Sequence, residues 1–193
     1  MAELTLPLSD LNYYKVNYRF HWLYPLVKDY IFSLEAQAAY GDGYLEDDNL
    51  PFFENYTAGG PHTVRGFKEN TLGPFDSNGR PLGGNLKLVG NAELILPVPF
   101  AQKLRSFRLS TFLDIGNVYV LNQQYETPPE LCYPSNNDCY PTGFQISELR
   151  YSAGLAAIWI TPLGVLRFSF AKPLHDKTGD QIQMFQFSIG TTF

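Results

Sequence analysis

The chain has 193 residues, of which 45% are hydrophobic, 16% are aromatic and only 17% are charged, with a net charge of −5. So many aromatic and aliphatic residues exclude a disordered chain, and the acidic balance argues against a nucleic-acid-binding protein. No apolar run approaches the ~20 residues of a membrane-spanning helix. Two classes remain, a soluble all-β domain and a transmembrane β-barrel, whose alternating strands spread out their hydrophobicity.

Hydrophobic and polar residues alternate over most of the chain, which is the pattern of β-strands that face two different surroundings. In one segment, Leu109 and Leu113 lie on one face, and Ser110 and Asp114 lie on the other. The alternation predicts about seven strands, each close to the ~9–11 residues that a tilted strand needs to cross a bilayer. Their approximate bounds are 12–23, 29–41, 85–97, 105–120, 147–161, 164–173 and 183–193.

The connections between these strands are of two lengths. Short proline-containing turns and long loops, of which 42–84 is the longest, alternate along the chain. Short turns on one rim and long loops on the other are typical of outer-membrane barrels. We therefore predict an all-β, antiparallel transmembrane β-barrel. The alternative is a soluble β-sandwich or lipocalin-like barrel, for which we expect shorter strands and a more charged polar face.

The longest loop contains two glycine clusters around one arginine. Gly59 and Gly60 precede the string Val64–Arg65–Gly66–Phe67, and glycines of this kind allow a backbone too tight for other side chains. A solvated loop rich in turn residues would have a similar composition. Glu93 and Asp114 lie on the polar faces of two adjacent predicted strands. Inward acids need a counter-charge, and a planar guanidinium can bridge two carboxylates. We therefore predict that Arg65 pairs with Glu93 and Asp114.

Several strings resemble the BamA superfamily of outer-membrane insertases and translocases, and the BamA branch in particular. The string Val64–Phe67 is similar to the VRGF signature of that family. Further matching strings follow in the family's order: 54–60, 70–74, 83–85, 112–118, 151–154 and 185–190. The resemblance extends from about residue 12 to Phe193, and it implies the C-terminal portion of a larger barrel. Such a portion has two open sheet edges, which hydrocarbon does not tolerate, so we do not expect it to form the family's barrel alone.

The resemblance also implies roles for particular residues. The loop would enter the barrel, where Arg65 would pair with acids of the next two strands. Gly190 would be the point at which the last strand kinks inward, which weakens the barrel closure and makes a lateral gate. Phe193 would match the C-terminal signal by which such barrels are recognised.

The implied function is the folding and insertion of β-barrel proteins into the bacterial outer membrane through a gated seam of the barrel. The partners would be the lipid bilayer, client β-barrel proteins and accessory assembly lipoproteins, the last mostly through domains outside this chain. A two-partner secretion transporter or a TamA-like translocase is the nearer alternative, and a passive outer-membrane pore is the more remote one.

No enzymatic activity, cofactor or metal is expected, because the sequence has no recognisable catalytic motif. A glycosidase pair made of Glu93 and Asp114 is disfavoured by the arginine partner. Cys132 and Cys139 are seven positions apart in one long loop. Their spacing suits a local disulfide, whereas a zinc site would need two further ligands.

Overall fold

The structure is a computed structural model that describes residues 2–4, 11–27, 30–45, 49–76, 78–97, 106–121, 143–162 and 164–190. No helix within these ranges is long and apolar enough to span a membrane. The described residues include two short 3₁₀ helices, at Phe52–Glu54 and Ile146–Glu148. The strands are β1 Ala2–Leu4, β2 Tyr13–Pro25, β3 Ile31–Gly43, β4 Gly66–Phe67, β5 Leu86–Leu96, β6 Phe107–Tyr119, β7 Arg150–Thr161, β8 Gly164–His175, β9 Ile182–Gln183 and β10 Phe185–Gly190.

Eight of the strands form one sheet in the order β1-β2-β3-β5-β6-β7-β8-β10. Every neighbouring pair is antiparallel, so the predicted all-β antiparallel class is confirmed. β4 and β9 form a separate pair. The strand order keeps long strands that are consecutive in sequence adjacent in the sheet, which is the arrangement of an up-and-down barrel.

The two faces of the sheet have opposite character. The apolar face is exposed, with Leu155 63% and Ile189 64% accessible to solvent. The polar face is covered, and Asp114 and Ser152 are completely buried there. A soluble β-sandwich buries its apolar face, so this inversion is the arrangement expected of a sheet whose outer surface contacts lipid.

The observed strand ends differ from the predicted ones by a few residues, and the last strand differs in kind. The sequence predicted one strand over 183–193. Instead, β9 pairs with β4, and β10 begins only at Phe185. At the break the backbone N–H of Ala171 donates to the Met184 carbonyl. The alternation itself shifts by one residue here, because Ile182 and Met184 are apolar at even positions whereas Phe185, Phe187 and Ile189 are apolar at odd positions.

The long loop between β3 and β5 folds over the polar face. It has a small apolar core in which loop residues pack against Val89 of β5 and Val118 of β6. The loop contributes Ala58, Val64, Phe67 and Leu72 to this core. Isolated bridges between Tyr56 and Gly84, and between Ala58 and Leu72, close the loop on itself. The described part of the predicted loop is therefore a layer packed on the polar face of the sheet.

Candidate functional site

The string Val64–Phe67 follows a tight turn that contains two glycines. Gly59 and Gly60 both have positive φ, and the N–H of Thr63 donates to the Gly60 carbonyl. The Thr63 hydroxyl accepts a hydrogen bond from the Gly59 N–H at 2.9 Å. This geometry buries Val64 in the loop core and turns the next side chain, Arg65, toward the sheet.

Gly66 packs closely against β8. Its φ is +91°, and a Cβ at this position would lie 3.1 Å from the Cβ of Ala171. A side chain here would meet both backbone strain and a steric contact. Glycine at this position therefore lets β4 lie directly on the sheet.

Arg65, Glu93 and Asp114, called here the Arg65 cluster, form a buried ion-pair group. The guanidinium holds Asp114 in a bidentate pair, with Nε 2.7 Å from Oδ2 and Nη2 2.8 Å from Oδ1. The backbone N–H of Arg65 also donates to Asp114 Oδ2 at 3.0 Å, and Nη1 donates to Glu93 Oε2 at 3.1 Å. The structure thus brings these three predicted residues together. Arg65 of the loop donates the hydrogen bonds, and the carboxylates of the neighbouring strands β5 and β6 accept them.

The surroundings of the guanidinium favour its charged form. Burial by itself would lower the pKa of Arg65, but the hydrogen bonds and charges of Asp114 and Glu93 outweigh burial and raise it. The Cζ atom lies 3.3 Å from the ring centroid of Phe112, which is a cation–π contact. These contacts therefore stabilise the charged guanidinium of Arg65.

Neighbouring polar groups hold the cluster in place, and sequence reasoning did not single them out. Asn91 donates to Asp114 Oδ1 at 2.9 Å, Ser110 donates to Glu93, and Ser152 donates to the Arg65 carbonyl. All three lie on the polar face that the alternation defines. A search of that face for side chains level with Asp114 would have found Asn91 and Ser152, because both are its register partners.

The loop also contacts the last hairpin of the chain. Gly66 and Phe67 pair with Gln183 and Ile182, and Gln186 of β10 donates from Nε2 to the Phe67 carbonyl at 2.6 Å. Gln186 is buried although it lies in an edge strand. The VRGF string is therefore bonded on one side to β5 and β6, and on the other to β9 and β10.

The remaining predicted residues lie elsewhere or outside the described ranges. Gly190 is the last residue of β10 and pairs with Val165, at the opposite end of β10 from Gln186. Phe193, Cys132 and Cys139 lie outside the described residues, so the terminal signal and the disulfide stay predictions.

An open antiparallel sheet with bilayer-length strands, an apolar exposed face and an ion-paired loop on its polar face defines a segment of an outer-membrane β-barrel. The Omp85 superfamily domain matches residues 1–193. The chain belongs to the Omp85 superfamily.

Relatives and solved structures give the same result. The chain is 39% identical over its full length to the outer membrane protein assembly factor BamA of Neisseria meningitidis, of which it covers 25%. It is 27% identical over 96% of its length to the human sorting and assembly machinery component 50 homolog, of which it covers 38%. It superposes over its whole length on 37% of a crystal structure of BamA from Haemophilus ducreyi lacking POTRA domains 1-3, with a TM-score of 0.81 and 30% identity.

These matches confirm the predicted BamA-like barrel segment and its location in the bacterial outer membrane. The chain spans about a quarter of the length of the Neisseria protein and about three-eighths of the other two proteins.

Proposed function

We propose that the protein folds and inserts β-barrel proteins into the outer membrane, and that this chain supplies the C-terminal side of a gated seam. The observation that carries the proposal is the position of β10. Within the described residues β10 pairs with β8 on one edge only. The long loop between β3 and β5 contacts the polar face of β10 through the hydrogen bond from Gln186 to Phe67.

An edge strand presents unpaired backbone N–H and C=O groups, which form a template for another strand. In hydrocarbon such groups cannot stay unsatisfied. They either close the barrel against its first strand or pair with an incoming client strand by β-augmentation. Exchange between these two partners is the proposed insertion step, and Gly190 is the proposed site of the kink that weakens closure.

The Arg65 cluster has a supporting role in this proposal. Opening a seam removes one set of backbone hydrogen bonds from the barrel, so the remaining sheet needs another source of rigidity. A buried bidentate pair between the loop and β6, with a further bond to β5, supplies that rigidity. Accessory assembly lipoproteins are proposed to bind to domains outside this chain.

Site-specific photo-crosslinking in the full-length protein tests the seam. A photoreactive phenylalanine replaces Phe187 on β10, and the matched control replaces Leu155 in the middle of the sheet. Both side chains belong to the exposed apolar face, so both contact lipid, but only the first is at the seam. We expect crosslinks to newly made β-barrel proteins at Phe187 to exceed those at Leu155 at least several-fold. Equal yields at the two sites would contradict the proposal.

The same experiment distinguishes the nearer alternative. Crosslinks from Phe187 to secreted polypeptides, with none to membrane-inserted barrels, would assign the protein to the two-partner secretion or TamA-like translocases. Conductance of the full-length protein in planar bilayers tests the passive pore. Because the loop covers the polar face, we expect no large stable conductance in the wild type and an increase in the Arg65→Ala variant.

A further inference from the structure

A second buried arginine lies at the end of the sheet that carries the long loops. Arg150 holds Asp180 in a bidentate pair, with Nε 3.0 Å from Oδ2 and Nη2 3.1 Å from Oδ1. Its Nη1 donates to the Glu148 carbonyl at 2.7 Å and lies 3.3 Å from the Glu148 carboxylate. Lys177 completes the group through Glu148 at 3.1 Å. These four residues are called here the Arg150 cluster.

The Arg150–Asp180 pair is as deeply buried as the pair of Arg65 and Asp114. The side chains of Arg150 and Asp180 are 2% and 0% exposed, and Asn117 of β6 donates to the same Glu148 carbonyl at 2.7 Å. Burying an arginine and a carboxylate costs free energy unless their bonds are complete. The buried Arg150–Asp180 pair lies outside the Arg65 cluster, so its presence needs a separate explanation.

The position of Asp180 supplies that explanation. It ends a tight turn in which its carboxylate accepts from the Lys177 N–H at 2.8 Å. The next residue, Gln181, accepts at its carbonyl from the N–H of Lys68 at 2.7 Å, and β9 follows immediately with its bonds to β4. Asp180 therefore fixes the start of the segment that pairs with the VRGF string.

The strand that leads into this turn, β8, is irregular in its pairing with β7. The pairing of β7 with β8 shifts register between Tyr151 and Ser152, so that Tyr151 pairs with His175 and Ser152 with Pro173. Proline in a strand is tolerated at such bulges. A bulge bends its strand, and this one lies just before the chain leaves the sheet for β9. The His175 ring stacks on Tyr151 at a centroid separation of 5.0 Å.

We propose that Arg150 and Asp180 are positioning residues that hold β9 against β4, so that the VRGF loop and the hairpin of β8 and β10 move as one unit. The Arg65 cluster attaches the loop to β5 and β6. The Arg150 cluster attaches the other partner of the loop, the connection from β8 to β10, to the start of β7. A displacement of the edge strand β10 thereby moves the loop, and a displacement of the loop moves β10.

Disulfide trapping in the full-length protein tests this coupling, in a background where Cys132 and Cys139 are serine. A Lys68→Cys and Gln181→Cys pair reports on the distance between the loop and the β8–β10 connection. An Ala157→Cys and Phe168→Cys pair reports on the sheet itself, because these residues are register partners in β7 and β8. Each pair is combined with Asp180→Asn, Asp180→Glu or Lys177→Gln.

We expect Asp180→Asn to slow formation of the loop disulfide at least threefold while the sheet disulfide forms at the wild-type rate. Asp180→Glu keeps the carboxylate and should recover at least half of the lost rate. Lys177→Gln removes only the more exposed member of the cluster and keeps the backbone N–H, so its effect should stay below 1.5-fold. An unchanged loop disulfide in Asp180→Asn, or a parallel fall in both disulfides, would overturn the proposal.

Discussion

The Arg65 cluster and the Arg150 cluster use the same chemistry in different settings. Each buries a guanidinium against an aspartate in a bidentate pair. The acids of the first come from the middle of two adjacent strands, whereas those of the second, Glu148 and Asp180, come from a 3₁₀ helix and a turn. The first therefore joins a loop to the middle of the sheet, and the second joins the turn between β8 and β9 to the start of β7. The loss of the first should cost more stability.

The largest effect is expected from Asp114→Asn. The substitution leaves the guanidinium of Arg65 buried with only Glu93 as a charged partner, and breaking a buried pair in this way costs about 3–5 kcal/mol. Urea unfolding of the full-length protein in detergent measures the loss. Asp180→Asn is the matched variant of the second cluster, and we expect a smaller loss because the turn can move and expose Arg150 to water. Equal losses would remove the distinction between the clusters.

Gly66→Ala should have the next largest effect, about 1–3 kcal/mol. The alanine must adopt a left-handed backbone conformation, and its Cβ must displace Ala171. The double variant with Ala171→Gly separates these two causes, because it relieves the contact and keeps the strain. Full recovery in the double variant would show that the backbone conformation costs nothing, against this account. The same unfolding measurement applies.

Glu93→Gln should cost about 1–2 kcal/mol, less than Asp114→Asn, because hydrogen bonds to charged groups contribute about 1.5–3 kcal/mol and the amide keeps part of the bonding. The Glu93 side chain is 14% exposed and makes a single bond to Arg65. Glu69→Gln on the exposed part of the same loop is the control for a charge change. A loss of stability as large as that of Asp114→Asn would contradict this ranking, because it would mean that the two acids stabilise the Arg65 cation equally.

Gln186→Ala should have the smallest effect, about 1 kcal/mol, for one buried hydrogen bond to the Phe67 carbonyl. The neighbouring polar-face residue Ser188 provides a control, as Ser188→Ala. The informative measurement is local hydrogen exchange, because the lost bond lies between β10 and Phe67. Relative to the wild type, we expect exchange in the Gln186→Ala variant to become faster in β9 and β10 and to stay unchanged in β7. Uniform exchange across these strands would contradict the assigned contact.

The strand faces and the pairing of Arg65 could be predicted from the sequence, whereas the pairing of Arg150 with Asp180 could not. A strand exposes alternate residues to alternate sides, so the faces of β6 could be predicted and Asp114 assigned to the polar one. The pairing of Arg65 with that face followed from the cost of burying an acid alone. No comparable rule places Asp180 near Arg150, because turns fix no period and their bounds depend on tertiary contacts.

The error at the last strand has a different cause. Within 182–190 the apolar residues change from even positions, Ile182 and Met184, to odd positions, Phe185, Phe187 and Ile189. The first two residues of the segment belong to a different pair of strands. The separation is set by Gly66, the bulge opposite Tyr151 and the carbonyl of Met184. The shift of the alternation marks where the strand breaks, but the new partner of its first residues cannot be inferred from the segment itself.

The central claim is that Arg65 holds the long loop on the polar face of the barrel. Hydrogen exchange in the full-length protein tests it most directly at the N–H groups of Gly59, Gly60, Thr63 and Arg65, whose acceptors lie in the loop or in Asp114. In the Arg65→Ala variant we expect exchange of these four groups to rise at least about tenfold, with Ala156 in β7 unchanged, since local opening exposes only the segment released. Unchanged exchange at these groups would contradict the claim.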